Sequence, residues 1–372
     1  MLIGVPREVK NHEYRVGLVP ASVRELTSRG HRVLVETGAG AGIGFPDAAY
    51  AGAGAAIAAN AAQIFATAEL VVKVKEPQPA EWAQLRPGQI LFTYLHLAPD
   101  PEQTRGLLES RCTAIAYETV TSAEGGLPLL APMSEVAGRM AVQVGAHCLE
   151  KESGGAGILL SGVPGVPGAR VAILGGGVVG SNAARIAAGM RARVTVLDRS
   201  LRVLDGLDRE FGGNVATLFA TAEAVEQAVT EADLVIGAVL VPGAAAPRLV
   251  TRAMLQGMRP GSVLVDVAID QGGCFETSRP TTHAEPTFVV DGIIHYCVTN
   301  MPGAVARTSA VALNNATLPF VVQLAELGFP RALSANPHLA QGLNLHAGRI
   351  VHPAVAAAMG AEPLPLAAAL AG

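Results

Sequence analysis

The fold is decided by residues 171–198, which read VAILGGGVVGSNAARIAAGMRARVTVLD. An apolar run at 171–174 leads into the motif Gly175-x-Gly177-x-x-Gly180, which opens a helical run at 181–190. In this context the first glycine permits a tight turn, the second lets the backbone approach a pyrophosphate, and the third lets helix and strand pack closely. The stretch therefore predicts a dinucleotide-binding βαβ unit.

An acidic residue follows the glycine motif at the distance that nucleotide recognition requires. Asp198 ends the apolar run 194–197, roughly 20 positions after Gly175, where a carboxylate accepts hydrogen bonds from the adenosine ribose. The same carboxylate would repel a 2′-phosphate, so the pattern favours NAD over NADP. Arg199 and Arg202 leave the alternative open, because an arginine can accept a 2′-phosphate.

The composition predicts a two-domain globular protein that acts on small molecules. The chain has 372 residues, of which 50% are hydrophobic and 16% charged; at roughly 100 to 200 residues per domain, this length favours two domains. The formal net charge is -4 without a long basic run, which argues against nucleic acid and an anionic membrane surface. The N-terminus lacks the pattern of a signal peptide, so we expect a cytoplasmic protein.

The remaining composition signals predict no membrane span, no disulfide and no metal site. The longest uncharged run, 48–68, is too weakly apolar to span a bilayer. The histidines show no spacing typical of metal ligands. Four scattered cysteines form no CxxC pair and are expected to be buried reduced thiols: Cys112, Cys148, Cys274 and Cys297.

Apolar runs alternate with helical stretches along the whole chain. A first series of runs lies at 2–5, 32–35, 70–75, 90–94 and 113–117, and a second at 171–174, 193–197, 234–236 and 263–266. This alternation predicts an α/β fold with two Rossmann-like lobes, parallel sheets and an interdomain cleft.

Long helices are expected to join the two lobes. Residues 132–151 read as one such helix, and a second helical run reaches Leu327. We therefore predict a discontinuous substrate-binding domain at 1–130 plus 307–372, and an NAD-binding Rossmann domain at 131–306.

Two cationic residues near predicted strand ends are candidates for binding a carboxylate. Lysine occurs at only four positions, yet Lys73 and Lys75 both lie in the segment VVKVKEP, where Lys75 follows an apolar strand. Open α/β sheets place their ligands at this end of the strands. Arg15 follows the first strand and could hold a carboxylate in a bidentate manner. An ordinary surface lysine and a plain salt-bridge cluster are the alternatives.

His96 and Asp270 are candidates for proton transfer. His96 lies at an apolar strand exit without a neighbouring charge, and its alternative is a satisfied core histidine. Asp270 closes a predicted late strand at 263–270, where desolvation could raise its pKa. Asp266 is the rival, expected on the same face of that strand but deeper. Neither a Gly-x-Ser-x-Gly elbow nor a P-loop lysine is present, which argues against hydrolases and phosphoryl transfer.

Taken together, these segments resemble the bacterial alanine dehydrogenase family, which is related to the nucleotide-binding subunit of proton-translocating transhydrogenase. The segments that carry the resemblance are IGVPRE (3–8), EYRV (13–16), VKVKEP (72–77), YLHLA (94–98), PMSEVAGRM (132–140), GVPGV (162–166), VAIDQGG (267–273) and NMPGAV (300–305). They cover most of the chain in order. Departures from the family pattern are Val203, where a basic residue is expected, and Ala220, where a serine is common.

The resemblance assigns roles to individual residues. It implies that Arg15 and Lys75 bind the substrate carboxylate and carbonyl oxygen, that His96 is the acid/base, and that Asp270 assists water and proton transfer. It also implies a set of residues around the cofactor NAD: Met133, Ser134, Gly175, Gly177, Val178, Val179, Gly180, Asp198, Val239, Leu240, Val267, Asn300 and Met301. The implied assembly is a homo-hexamer.

The implied reaction is the reversible NAD-dependent oxidative deamination of L-alanine to pyruvate and ammonia. Three other functions stay open at this stage. A 2-hydroxy-acid dehydrogenase could use the same residue types, and a transhydrogenase subunit would act through protein partners. An NAD-sensing regulatory module would have lost the charged trio of Arg15, Lys75 and His96.

Overall fold

The computed structural model describes residues 1–239 and 246–371 and divides into two compact units. The first unit comprises Met1–Met133 together with Val305–Gly372, and the second comprises Ser134–Ala304. Each is built on one mostly parallel sheet with helices between its strands. The predicted α/β class with two parallel sheets is confirmed.

The first unit contains an eight-stranded sheet of order β15-β14-β6-β5-β4-β1-β2-β3. Its strands are β1 Leu2–Val5, β2 Arg32–Glu36, β3 Ala56–Ala58, β4 Leu70–Val72, β5 Ile90–Thr93, β6 Thr113–Ala116, β14 Leu343–His346 and β15 Arg349–Ile350. The six strands β1 to β6 are parallel to their neighbours, and β14 is antiparallel to β6. The carboxyl ends of β5, β4 and β1 therefore lie side by side.

The helices of the first unit cover the apolar faces of this sheet. They are α1 Pro20–Ser28, α2 Asp47–Gly52, α3 Ala61–Thr67, α4 Pro79–Trp82, α5 Pro101–Ser110, α11 Ala306–Leu327, α12 Arg331–Ala335, α13 Pro337–Ala340, α14 Pro353–Ala358 and α15 Leu366–Ala371. Ile64 and Phe65 of α3 pack with Val71 of β4 and Leu91 of β5 in one fully buried cluster. The core thus fixes the strands whose ends carry the candidate residues.

The second unit contains a seven-stranded sheet of order β12-β13-β11-β10-β7-β8-β9. Its strands are β7 Arg170–Leu174, β8 Arg193–Asp198, β9 Val215–Phe219, β10 Leu234–Gly237, β11 Val263–Asp266, β12 Thr287–Val290 and β13 Ile293–Tyr296, and only β12 is antiparallel to its neighbour. Strand order reverses between β7 and β10, which is the point where doubly wound sheets bind ligands.

Helices accompany the second sheet. They are α7 Val178–Gly189, α8 Leu201–Phe211, α9 Ala222–Glu231 and α10 Arg252–Leu255, and they follow α6 Ala131–Cys148, the long helix predicted at 132–151. The four cysteines are buried and free, as predicted. Of the helices described in residues 1–239 and 246–371, none is long and apolar enough to cross a membrane.

Two predicted strands end earlier than the apolar pattern indicated. The run 70–75 forms a strand only over Leu70–Val72, because the Val74 N–H then donates to the Glu8 carboxylate at 2.7 Å and not to a neighbouring strand. The run 263–270 forms a strand only over Val263–Asp266. Polar side chains therefore interrupt both strands close to the candidate residues.

Candidate functional site

Three candidate side chains of the first unit follow three neighbouring parallel strands. Arg15 lies in the loop after β1, Lys75 follows β4 and His96 follows β5, and these strands are adjacent in the sheet. Because the carboxyl ends of parallel strands meet at one edge of a sheet, this topology collects two cations and an imidazole at that edge. The sequence predicted each residue separately, and the strand order brings them together.

Arg15 is held rigidly by an acidic neighbour. Its side chain is only 2% exposed, and Nε and Nη2 donate to the two oxygens of Glu13 at 2.7 and 2.6 Å. Nη1 lies 3.1 Å from the sulfur of Met133, a residue predicted near the cofactor. Burial by itself would lower the pKa of Arg15, but the hydrogen bonds and charge of Glu13 outweigh burial and raise it. The guanidinium is therefore a fixed positive charge.

Lys75 lies in an irregular segment whose backbone is held by side chains. The residue is partly buried, and its carbonyl accepts a hydrogen bond from the Thr93 hydroxyl at 3.0 Å. Its N–H points to Glu8 Oε1 at 3.4 Å. The backbone of Lys75 is thus held by its neighbours in β5 and after β1, and its role in binding stays a prediction.

His96 has a different environment from the uncharged one that the sequence suggested. Its side chain is 48% exposed, and Glu118 Oε1 lies 3.8 Å from Nδ1 and accepts the backbone N–H of His96 at 2.7 Å. The alternative of a buried core histidine is therefore wrong. The imidazole lies parallel to the ring of Tyr94, with ring centroids 5.8 Å apart.

Glu118 is a neighbour of His96 that was not among the residues predicted from the sequence. It follows β6, the next parallel strand after β5, and its carboxylate also accepts the Leu95 N–H at 3.2 Å. Its position could have been noticed in the sequence, because it directly follows the predicted strand 113–117. That strand ends at the same edge of the sheet as β1, β4 and β5.

The glycine motif of the second unit has the geometry that a dinucleotide requires. Gly175 has φ +101°, which favours glycine, and a Cβ on Gly180 would lie 1.8 Å from the carbonyl oxygen of Gly175. A Cβ on Gly177 would meet nothing within 4 Å. Helix α7 begins directly after it at Val178, so the N–H groups of Val178 and Val179 belong to the first turn, which has no acceptor inside the helix. This open, donor-rich helix start fits a pyrophosphate.

Asp198 stands at the end of β8 beside the glycine motif. One carboxylate oxygen accepts the Gly176 N–H at 2.7 Å and the other accepts the Ser200 N–H at 2.7 Å. A Cβ on Gly176 would lie 2.7 Å from Val203, so the valine that departs from the family pattern packs against the glycine loop. The carboxylate is partly exposed and oriented by backbone donors.

The structure separates the roles of Asp266 and Asp270. Asp266, the last residue of β11, is fully buried and accepts hydrogen bonds from the backbone N–H groups of Ala268 and Cys274 at 3.1 and 2.9 Å. The first of these caps a 3-10 turn over Val267–Gln271, so the strand predicted to reach Asp270 ends early. Asp270 is exposed, and the desolvation expected there is wrong. Burial raises the pKa of Asp266 instead.

Most of the remaining predicted cofactor residues follow strands of the second sheet. Val239 comes after β10, and its nitrogen would lie 3.1 Å from a Cβ on Gly175. Val267 follows β11, while Asn300 and Met301 follow β13, Met301 being 3% exposed. Ser134 is partly buried in the first turns of α6. Leu240 lies outside the described residues.

Comparison with known proteins identifies relatives over nearly the whole chain. The model for the alanine dehydrogenase/PNT N-terminal domain matches residues 4–137, and the model for the C-terminal domain matches residues 141–353. Alanine dehydrogenase of Halomonas elongata is 64% identical over 97% of this chain and 98% of its own. Alanine dehydrogenase of Bacillus subtilis is 54% identical over 100% and 98%.

Solved structures agree with these relatives. An L-alanine dehydrogenase structure is 53% identical and superimposes with a TM-score of 0.94 over 97% of this chain and 99% of its own. A transhydrogenase from Sinorhizobium meliloti is 27% identical, with a TM-score of 0.81 over 95% and 100%. The similarity therefore extends through both units.

Proposed function

Because this chain belongs to the alanine dehydrogenase/PNT family, we propose that it is an NAD-dependent L-alanine dehydrogenase. The reaction converts L-alanine, NAD and water to pyruvate, ammonium, NADH and a proton, and it is reversible. The observation that carries the proposal is the set of Arg15, Lys75 and His96 at the ends of three adjacent strands. Two cations and an imidazole suit a small amino acid with a carboxylate.

Arg15 and Lys75 are proposed to bind the substrate. The guanidinium of Arg15, fixed by Glu13, presents a planar charge to the alanine carboxylate. The Lys75 ammonium is a compact charge suited to the carbonyl oxygen of pyruvate. Together they orient the substrate Cα before reaction, which lowers the entropic cost of reaching the transition state.

The glycine motif and Asp198 are proposed to hold the cofactor. The bound cofactor would supply the redox chemistry, as the acceptor of the hydride from the substrate Cα. The first turn of α7 would bind the pyrophosphate, and Asp198 would accept hydrogen bonds from the adenosine ribose. The carboxylate is the reason to prefer NAD to NADP, since it would repel a 2′-phosphate.

His96 and Asp270 are proposed to move protons. After oxidation of the amine to an iminium, His96 takes a proton from the water that adds to Cα, and collapse of the resulting carbinolamine releases ammonia. Half exposure of His96 leaves its imidazole accessible to that water. Asp270, exposed on the 3-10 turn after β11, is proposed to hold water or relay protons.

An assay of the purified chain tests this proposal. NADH formation is measured with alanine, serine, glycine and 2-aminobutyrate, and repeated with NADP. Pyruvate-dependent NADH oxidation is measured with and without ammonium. Oxidation that needs no ammonium would indicate a 2-hydroxy-acid dehydrogenase instead, and no oxidation with either mixture would contradict the proposal.

The assembly and the location of the protein stay predictions that rest on the family resemblance and on composition. They are a homo-hexamer and a cytoplasmic protein. Light scattering of the purified chain checks the first, and fractionation of cells that express it checks the second.

A further inference from the structure

Three charged side chains are buried together next to Lys75 and take no part in the proposed reaction. We call Glu8, Lys73 and Glu81 the buried triad. Lys73 is 0% exposed, Glu8 7% and Glu81 4%. The Lys73 ammonium lies 3.2 Å from Glu8 Oε2 and 2.7 Å from Glu81 Oε1. Burying such ions costs free energy that their mutual attraction only partly offsets, so stability alone is a weak reason for the triad.

The second oxygen of each carboxylate holds the backbone around Lys75. Glu8 Oε1 accepts the Val74 N–H at 2.7 Å and faces the Lys75 N–H at 3.4 Å. Glu81 Oε2 accepts the Gln78 N–H at 2.8 Å. The two carboxylates therefore bind the segment 74–78 near its two ends. The ammonium of Lys73, the residue just before this segment, pairs with both carboxylates.

The carbonyl groups of this segment are bound as well. The Tyr117 hydroxyl donates to the Lys73 carbonyl at 3.0 Å, and the Thr93 hydroxyl donates to the Lys75 carbonyl at 3.0 Å. Residues 73–78 form neither helix nor strand. Backbone hydrogen bonds join Lys73 to Phe92 and Tyr94 to Val74. Beyond Val74, side chains hold the segment and fix where the Lys75 side chain leaves the backbone.

The members of the triad also act on one another and on Arg15 through their charges. Two carboxylates face one ammonium, and the field of Glu8 reaches the Arg15 guanidinium, whose pKa it helps to raise. Burial raises the pKa of Glu8 and the charge of Lys73 opposes that change, while Glu81 and Glu13 are the other carboxylates whose charge acts on Glu8. Glu8 therefore acts on Arg15 through its charge and on the Lys75 segment through hydrogen bonds to the backbone.

We propose that the buried triad is the positioning device of Lys75 and fixes this lysine for the substrate. Glu8 is its central member because it contacts both Lys73 and the backbone of the lysine segment. The inference rests on the proposed function, since it takes the substrate anion as the ligand of Lys75.

The test is Glu8→Gln in the full chain. The amide keeps an oxygen for the Val74 N–H but removes the charge, and it leaves Lys73 paired with Glu81, so we expect the variant to fold. KM for pyruvate should rise by about tenfold or more, while kcat and KM for NADH change by less than about threefold. A variant that is merely unstable would lose active protein without this difference between KM for pyruvate and KM for NADH.

Asp233→Asn is the matched control. Asp233 is a buried carboxylate of the second unit that pairs with Arg259 at 3.0 Å and accepts the Arg170 N–H at 2.9 Å. Like Glu8→Gln, this change replaces a buried carboxylate by an amide, but it does so outside the proposed site. The KM for pyruvate should therefore stay as in the wild type. Glu81→Gln is the second triad variant, with an expected rise in KM for pyruvate that is smaller than for Glu8→Gln, because Glu81 contacts Gln78 and not Lys75.

The outcomes separate the two proposals. A wild-type chain without alanine-dependent activity would refute the proposed function. An active wild type combined with a folded Glu8→Gln of unchanged KM for pyruvate, or with an equal rise in KM for pyruvate and NADH, would overturn the positioning role. Failure of both triad variants to fold while Asp233→Asn folds would also overturn it, because the triad would then be purely structural.

Discussion

His96 has a backbone conformation that few residues adopt without support. Its φ is +49°, in the left-handed region, which costs a non-glycine residue free energy unless the surroundings compensate. Glu118 provides that support, since its carboxylate accepts the N–H groups of Leu95 and His96. The conformation turns the imidazole away from the strand and into a half-exposed position. Such a position suits proton exchange with water.

Replacement of His96 tests its role in proton transfer. For His96→Ala we expect kcat to fall by about 10²–10⁴-fold with folding intact, because general acid–base catalysis contributes about this factor and the side chain is half exposed. Steady-state kinetics and circular dichroism measure both effects. His147→Ala is the control, because the side chain of His147 is 71% exposed and its contacts with Glu150 and Ser153 are exposed as well. Near-normal turnover of His96→Ala would remove it from the mechanism.

At the level of single elements, two glycines of the motif are expected to have different roles: Gly177 in binding the cofactor and Gly180 in packing. Gly177 has φ −67°, which alanine adopts easily, and a Cβ there meets nothing. Gly177→Ala should therefore fold normally and bind NADH about tenfold or more weakly, because its methyl group would occupy the pyrophosphate space.

Gly180→Ala should behave differently from Gly177→Ala. Its Cβ would lie 1.8 Å from the Gly175 carbonyl oxygen, so α7 must move away from β7 and the whole unit loses stability. Thermal unfolding and fluorescence titration with NADH distinguish the two variants. A Gly177→Ala variant that binds NADH as the wild type does would contradict the proposed path of the pyrophosphate.

Asp47 gives the start of helix α2 a measurable pH dependence. Hydrogen bonds from the Thr37 hydroxyl at 2.6 Å and the Gly38 N–H at 2.8 Å lower the pKa of Asp47. A lowered pKa in the folded state means that this stabilisation is present above the ordinary aspartate value and is lost as the pH falls through the folded value. Asp47→Asn should therefore cost about 0.5–1 kcal/mol of unfolding free energy at pH 7, a difference that shrinks below about pH 4.

Denaturant unfolding at several pH values measures this effect of Asp47→Asn. The control is Asp205→Asn, which removes an exposed carboxylate paired with Arg209 on one helix face. A loss of stability that is the same at pH 7 and pH 3 would show that the hydrogen bonds to Asp47 do not depend on its charge.

The strands that the sequence predicted best are those with a continuous apolar run. The runs at 2–5, 113–117 and 171–174 are strands within one residue of the predicted bounds, because buried parallel strands are apolar throughout. Edge strands were missed: β9 and β12 are half-exposed, so only every second side chain is covered and the apolar signal is weak. Asp270 was assigned to a strand because the apolar pattern continues to Ile269. The side chain of Asp266 caps the 3-10 turn that ends the strand, and such a cap cannot be detected from the apolar pattern.

At the scale of the whole molecule, the residues proposed to bind the substrate and the glycine motif and Asp198 proposed to bind the cofactor belong to different units. Arg15 and its two partners, Glu13 and Met133, belong to the first unit. Gly175, Gly177 and Asp198 belong to the second unit. The sequence could predict each set through its motifs, because a motif is local in the chain. Glu118 could not be predicted in this way, since its relation to His96 arises only when β5 and β6 pair.

This division predicts that substrate binding and cofactor binding can be weakened separately. Arg15→Lys keeps the charge but loses the two-oxygen contact with Glu13, so KM for pyruvate should rise by about 10–100-fold with little change for NADH. Gly177→Ala should give the reverse pattern. In the double variant the two free-energy changes should add within about 0.5 kcal/mol, as for sites that share no partner. Initial-rate kinetics of the four proteins give both constants, and a double variant far from additive would mean that the two sets of residues act as one site.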